Sequence, residues 1–202
     1  MTQRRKWAAI PGLIALAIGA VALSAYSGAS SSQNARPVQP INFPHPLHAA
    51  GNLNMNCLYC HNTANKSPDP GMPAVSTCMG CHLILSTDKP EIKKLNAYYA
   101  SGHGKPIPWV RIHKVPEYVR FPHMRHVNVG VTCQTCHGQV QKMDRVYQYS
   151  SLNMGWCVNC HVNGYDPVEG QRATGYSTDT SRAVTPDAER KRARYDCANC
   201  HY

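Results

Sequence analysis

The ten cysteines of this chain fall into five copies of Cys-x-x-Cys-His, and none is left over: Cys57/Cys60/His61, Cys78/Cys81/His82, Cys133/Cys136/His137, Cys157/Cys160/His161 and Cys197/Cys200/His201. This is the attachment signature of c-type haem, in which two thiols bond the porphyrin edge and the adjacent imidazole binds iron. Zinc explains it poorly, because a zinc ion takes four ligands and pairs two Cys-x-x-Cys knuckles. Five motifs would leave one unmated and every histidine unused. A disulfide scaffold has no need of histidine after each second cysteine. Five covalently attached haem c groups are expected, with His61, His82, His137, His161 and His201 as the proximal iron ligands.

Composition agrees with a cofactor-filled interior. Two Phe in 202 residues leave a thin apolar core, and haem would supply the missing bulk. The formal charge of +10 invites a nucleic-acid partner. Each ferric haem, however, adds about −1 and each ferrous haem about −2, so five haems offset half or all of it. Nucleic acid is excluded on that ground. The run "ERKRAR", Glu189 to Arg194, reads as a solvated helix face.

Residues 1–6 form a basic flank containing Arg4, Arg5 and Lys6, ahead of twenty uncharged residues from Trp7 to Tyr26. As a helix that segment would span about 30 Å, the thickness of a bilayer core. It exceeds the apolar core of a cleaved signal peptide, about 7–15 residues, although small residues before Gly28 and Ser30 also suit cleavage. A retained anchor is expected, with the N-terminus in the cytoplasm and the remainder on the periplasmic side, where thiol attachment chemistry belongs. Ala8, Gly12, Ala15, Gly19 and Ala22 share one helical stripe on which another membrane helix would pack closely. Residues 27–40, rich in Ser, Gly and Pro, read as a linker.

The rest repeats itself. "FPHPLH" (Phe43 to His48) precedes the first motif and "FPHMRH" (Phe121 to His126) the third. Phe43 recurs as Phe121, Cys57 as Cys133 and Cys78 as Cys157, which divides the chain into a first dihaem unit, 41–118, and a second, 119–202, carrying the fifth haem at its end. The expected fold is mostly irregular, with short α-helices packed around five c-type haems plus the N-terminal transmembrane helix. Helices are predicted in "DKPEIKKLNAYYASG", with Asp88 as N-cap, Ile92, Leu95 and Tyr99 on one face and Gly102 as stop. Two more are predicted, through the fourth motif as far as Gly164 and from Thr185 and Pro186 into the fifth motif. "GQVQKMDRVYQY" reads as a short hairpin, and "NKSPDPGMPA" and "GYDPVEGQRATGYSTDT" as loops.

Five proximal histidines leave His45, His48, His103, His113, His123 and His126. His45 and His48 are three residues apart, so on a helical turn they project roughly 5–6 Å from one another on one face. They cannot bind opposite sides of one iron. Each is expected to reach a different haem, making the hexapeptide a clamp on two cofactors, and its copy a second clamp through His123 and His126. His113, in the apolar setting of "WVRIHKVP", is a further ligand candidate; His103, between two glycines, reads as a loop residue. A thioether ligand would raise an iron's potential. Met154, three residues before Cys157, is the leading candidate, with Met55 and Met72 in reserve.

The tether, the FPHxxH hexapeptides, "WVRIHKVPEYVRFPHMRH" and "LNMGWCVNCH" together resemble the pentahaem cytochrome c subunit of bacterial alternative complex III over essentially the whole chain. The resemblance implies a quinol-oxidising complex with integral-membrane and iron–sulfur subunits, and a soluble cytochrome c or copper protein as acceptor. It also implies mostly bis-histidine haems, carried onto His45, His48, His113, His123 and His126, with methionine on one iron, carried onto Met154. These are six candidates for five irons.

Saturated iron conducts without offering a substrate position, so the expectation is an electron-transfer subunit and not an enzyme. The competing reading is a tethered multihaem quinol dehydrogenase that oxidises quinol itself; proteins of that kind often carry methionine two residues after a motif histidine, where this chain has "CHNTAN". A nitrite or hydroxylamine reductase would use an open iron and a lysine-ended Cys-x-x-Cys-Lys, which is absent.

Quantifying covalent haem after denaturation by the pyridine haemochrome spectrum, with iron per chain, is expected to give five of each. Fewer, or iron removable by a chelator, would contradict the motif reading.

Overall fold

The structure, a computed structural model, describes residues 2–26, 32–100, 105–165 and 192–202, with side chains of the first helix described over 10–22. In chain order the elements are α1 (Thr2–Tyr26), α2 (His45–Ala49), α3 (Cys57–Cys60), α4 (Val75–His82), α5 (Pro90–Ala100), α6 (His123–Asn128), α7 (Cys133–His137), a 3-10 turn η1 (Val140–Lys142), α8 (Met154–Asn163) and α9 (Cys197–Cys200). Among the described residues there is no strand, only the isolated bridges Gln33 with Gln148 and Val119 with His201. Short helices joined by irregular chain are the predicted class.

Each Cys-x-x-Cys pair lies on a helix. One helical turn puts residues three apart on the same face, so both thiols approach one porphyrin edge. Side chains start two of these helices: Asn56 accepts from the Leu58 N–H at 2.9 Å and Asn153 from the Trp156 N–H at 2.7 Å. The helix through the fourth motif ends at Gly164, φ 77°, as the sequence predicts.

Apolar packing centres on α4 and α5. Met79 is 1% exposed, and Val75, Leu95, Ile41 and Ile107 complete the cluster, with Ile92, Tyr98 and Trp109 at its edge. Burial of this kind stabilises by about 1.5–3 kcal/mol per large side chain. The tyrosine on the α5 core face is Tyr98, not the predicted Tyr99, which is exposed; i+3 from Leu95 points inward here where i+4 does not. Nor does Asp88 cap this helix, which begins at Pro90. Its Glu91 accepts instead from the Asn42 N–H at 2.7 Å and from Lys94 Nζ at 2.7 Å. These bonds, Lys94 first, hold the Glu91 carboxyl below its usual range.

The described part of the expected linker, residues 32–40, is bound and not a free tether. Gln148 is fully buried; its side chain accepts from Ser32 Oγ at 3.2 Å and donates to the Ser150 and Ser151 carbonyls, while its own carbonyl accepts from the Asn34 N–H at 2.9 Å. Arg36 lies over the Tyr147 ring at 4.3 Å, and Gln39 pairs with the Val110 backbone in both directions. The two halves of the sequence repeat meet where α6 begins: the His123 and Met124 N–H groups donate to the Pro68 and Ser67 carbonyls, and Asn128 to that of Asn65.

Two further expectations change. "GQVQKMDRVYQY" forms the turn η1 and irregular chain, with no hairpin, because its one bridging residue, Gln148, pairs with the N-terminal segment. Residues 192–196 are not helical. Their backbone is held by the fourth motif, with the Ala193 N–H on the His161 carbonyl at 3.2 Å. Thr185, Pro186 and Gly102 lie outside the described residues. Among the described residues no helix is long and apolar enough to cross a membrane. The described side chains of α1 include Leu13, Ile14, Leu16, Ile18 and Val21, all exposed.

Gly138 ends α7 at φ 70° and ψ −168°, a region essentially reserved for glycine. A Cβ there would meet the Tyr149 ring at 2.7 Å. Gly138→Ala is expected to cost about 2–4 kcal/mol from strain and overlap, read as a lowered denaturation midpoint of the haem-loaded protein. An unchanged midpoint would contradict this packing.

Candidate metal centres

The two hexapeptides fold alike. Pro44 and Pro122 stand at the N-caps with φ/ψ of −86°/100° and −83°/102°, proline's fixed φ pre-setting the entry to each helix. Phe43 meets His45 edge-on at 4.8 Å and stacks on His48 at 4.4 Å; Phe121 meets His123 edge-on at 4.7 Å and stacks on His126 at 4.4 Å. One aromatic ring thus wedges both imidazoles of each pair. The sequence reading assigned no part to either phenylalanine, yet Phe, Pro and two His are the letters the copies share, which was the available signal.

Three imidazole pairs lie at a similar separation. His48 and His82 have ring centroids 6.1 Å apart, His126 and His161 6.1 Å, and His123 and His137 6.4 Å. A metal–imidazole N distance of about 2 Å places the ring centre about 3 Å from the metal, so two imidazoles across one metal stand about 6 Å apart. His45 lies within electrostatic reach of His61. Each hexapeptide therefore turns its first histidine toward the motif that follows it and its second toward the next.

Proton positions agree. His48 Nδ1 lies 3.1 Å from the Pro44 carbonyl, His126 Nδ1 3.1 Å from that of Pro122, His82 Nδ1 3.0 Å from that of Leu85 and His161 Nδ1 2.7 Å from that of Arg194. A carbonyl only accepts, so in each ring Nδ1 is the donor and Nε2 is the nitrogen left for a ligand site. Burial first, then the neighbouring His61 and His48, lowers His45 to about 4. Burial first, then His113, His123 and His61, lowers His137 to about 3. Burial also lowers His61, His123 and His126. These rings are neutral at physiological pH, the form that ligates.

None of the ten cysteines is in a disulfide. Cys57 and Cys133 share a hydrogen bond that lowers the Cys57 thiol and raises that of Cys133. Burial, then Cys160 and Cys157, pushes Cys136 up to about 12. Among the described residues no three His, Cys, Asp or Glu side chains converge as a zinc ion would demand. The donor set fits haem, one imidazole on each side of an iron.

The remaining candidates separate. His113 touches His137 at 4.2 Å, too close to face it across a metal, and its buried Nε2 has no hydrogen-bond partner. Burial, then His123, lowers it to about 4. Met154 is exposed at the start of α8. Met72 is exposed, and Met55 is half-buried with its N–H on the His48 carbonyl at 2.9 Å. His103 lies outside the described residues. His201 faces the Tyr118 ring, at 5.7 Å; its segment is fixed by the Arg120 N–H on the Cys200 carbonyl at 2.7 Å and by Arg120 over the Tyr202 ring.

The Cytochrome c3 family profile matches residues 125–202, the stretch holding the third, fourth and fifth motifs. Over 169 residues this chain is 27% identical to the multiheme cytochrome c subunit of menaquinone reductase from Nitratidesulfovibrio vulgaris, covering 81% of this chain and 67% of that protein.

Proposed function

We propose that this multihaem cytochrome c is the electron-transfer subunit of a quinone-reactive membrane complex. It passes single electrons between that complex and a soluble periplasmic carrier, a small cytochrome c or copper protein. The observation carrying this reading is the set of imidazole pairs at 6.1–6.4 Å, a separation that suits two rings on one iron and would leave a substrate no open side there. Bound haem would supply the iron couple that takes up and releases one electron. The paired histidines would hold that group, and backbone carbonyls orient the Nδ1 edge of His48, His82, His126 and His161.

Four irons would take His61 with His45, His82 with His48, His137 with His123, and His161 with His126. The fifth would take His201, with Met154 as partner. Met154 opens the helix bearing Cys157, which lies within electrostatic reach of Cys200 in the fifth motif. His113 would then be a packing neighbour of the third centre. The exposed apolar side chains of α1 suit a bilayer and support the anchor reading, with the haem units on the periplasmic side.

Two complexes fit. The resemblance to alternative complex III, with its integral-membrane and iron–sulfur subunits, points to quinol oxidation. The Nitratidesulfovibrio vulgaris relative is named for menaquinone reduction. Both give a multihaem subunit the same task, and the potentials of the two ends decide the direction.

In His48→Gly and His126→Gly variants, one haem of the five in each is expected to become high-spin and to return to low-spin with added imidazole. Wholly low-spin variants would overturn the ligand assignment. In stopped-flow mixing, the isolated chain is expected to stay oxidised with quinol alone and to be reduced once its membrane complex is present. Reduction by quinol alone would instead favour the tethered quinol dehydrogenase.

A further inference from the structure

Resting on that ligand assignment, we infer that the five haem sites stand in single file in the order second, first, third, fourth and fifth motif. The two ends of the relay are then Cys78–His82 and Cys197–His201.

Each junction has its own contacts. The second and first motifs are joined through α2, whose His48 faces His82 and whose His45 adjoins His61, with Phe43 wedged against both rings. Cys60 also lies within electrostatic reach of Cys78 and Cys81. Between the first and third motifs, the start of α6 is bonded to the Ser67 and Pro68 carbonyls just beyond the first motif, and Cys57 and Cys133 lie within electrostatic reach of each other. In addition, α2 packs on η1, directly after the third motif. The third and fourth are bridged by α6, with His123 toward His137 and His126 toward His161. The fourth meets the fifth where His161 Nδ1 donates to the Arg194 carbonyl and the Ala193 N–H returns to the His161 carbonyl, with Cys157 near Cys200.

The ends are defined by what they do not touch. Among the described residues, no hydrogen bond or ring contact joins the second motif to the third, fourth or fifth, and none joins the fifth to the first or second. The arrangement follows from the duplication. Two clamped pairs are set head to head through their leading motifs, which sends the trailing motifs outward, and the fifth site extends one end only. The haem site met first along the chain is thereby interior, and a partner that exchanges electrons with this chain does so beside His82 or beside His201.

Iron-edge anomalous diffraction from the haem-loaded full chain, with each iron assigned through its thioether bonds, tests the order. The expected map has the second-motif iron neighbouring only the first-motif iron, and the fifth-motif iron neighbouring only the fourth. A second-motif iron lying nearest the third, fourth or fifth, or five irons in a compact cluster, would overturn the order while leaving the relay function standing. Fewer than five irons would overturn the underlying ligand assignment and the order with it.

Discussion

The separation of two imidazoles across a metal is the constraint from which the rest of this structure follows. A chain that must hold rings about 6 Å apart, Nε2 toward Nε2, has little freedom left at the ligands. Here the freedom is removed locally. A proline starts the helix, an upstream phenylalanine wedges both rings, and the proline's carbonyl takes the Nδ1 proton of the second histidine. Because every determinant lies within six residues, the device was copied whole, and the copy reproduces the original's angles and distances.

Much of this was legible in the sequence, since the information is local. The Cys-x-x-Cys-His spacing, the repeat and the three-residue offset of each histidine pair specify chemistry without knowledge of the fold. Prediction faltered where a backbone group had a distant competitor. The segment before the fifth motif reads as helix, but its carbonyl and N–H are claimed by His161. The segment around Gln148 reads as hairpin, yet it pairs with residues far back in the chain. His113 sits in an apolar context that signals burial; no pattern along the chain shows that it would stand 4.2 Å from His137.

The apolar interior gathers in the first unit, around Met79 and Leu95, while the second unit relies on buried polar side chains such as Gln148 and on its short clamped helices. Buried side chains described there include Met143, Gln134, Gln148 and Ser150. Haem held by the chain's thiols and imidazoles would add to this packing and couple attachment of cofactor to acquisition of structure. The same coupling suits a conductor, because the residues that hold the fold together are those that fix ligand geometry. The Cytochrome c3 match, residues 125–202, falls in this half of the chain.

The central claim is that the irons are saturated by the chain's own side chains. Low-temperature electron paramagnetic resonance together with near-infrared magnetic circular dichroism of the fully oxidised full chain reads axial ligands directly. The account predicts wholly low-spin iron, four centres bis-imidazole and one imidazole–thioether. A resting high-spin centre, or more than one thioether-ligated iron, would contradict it.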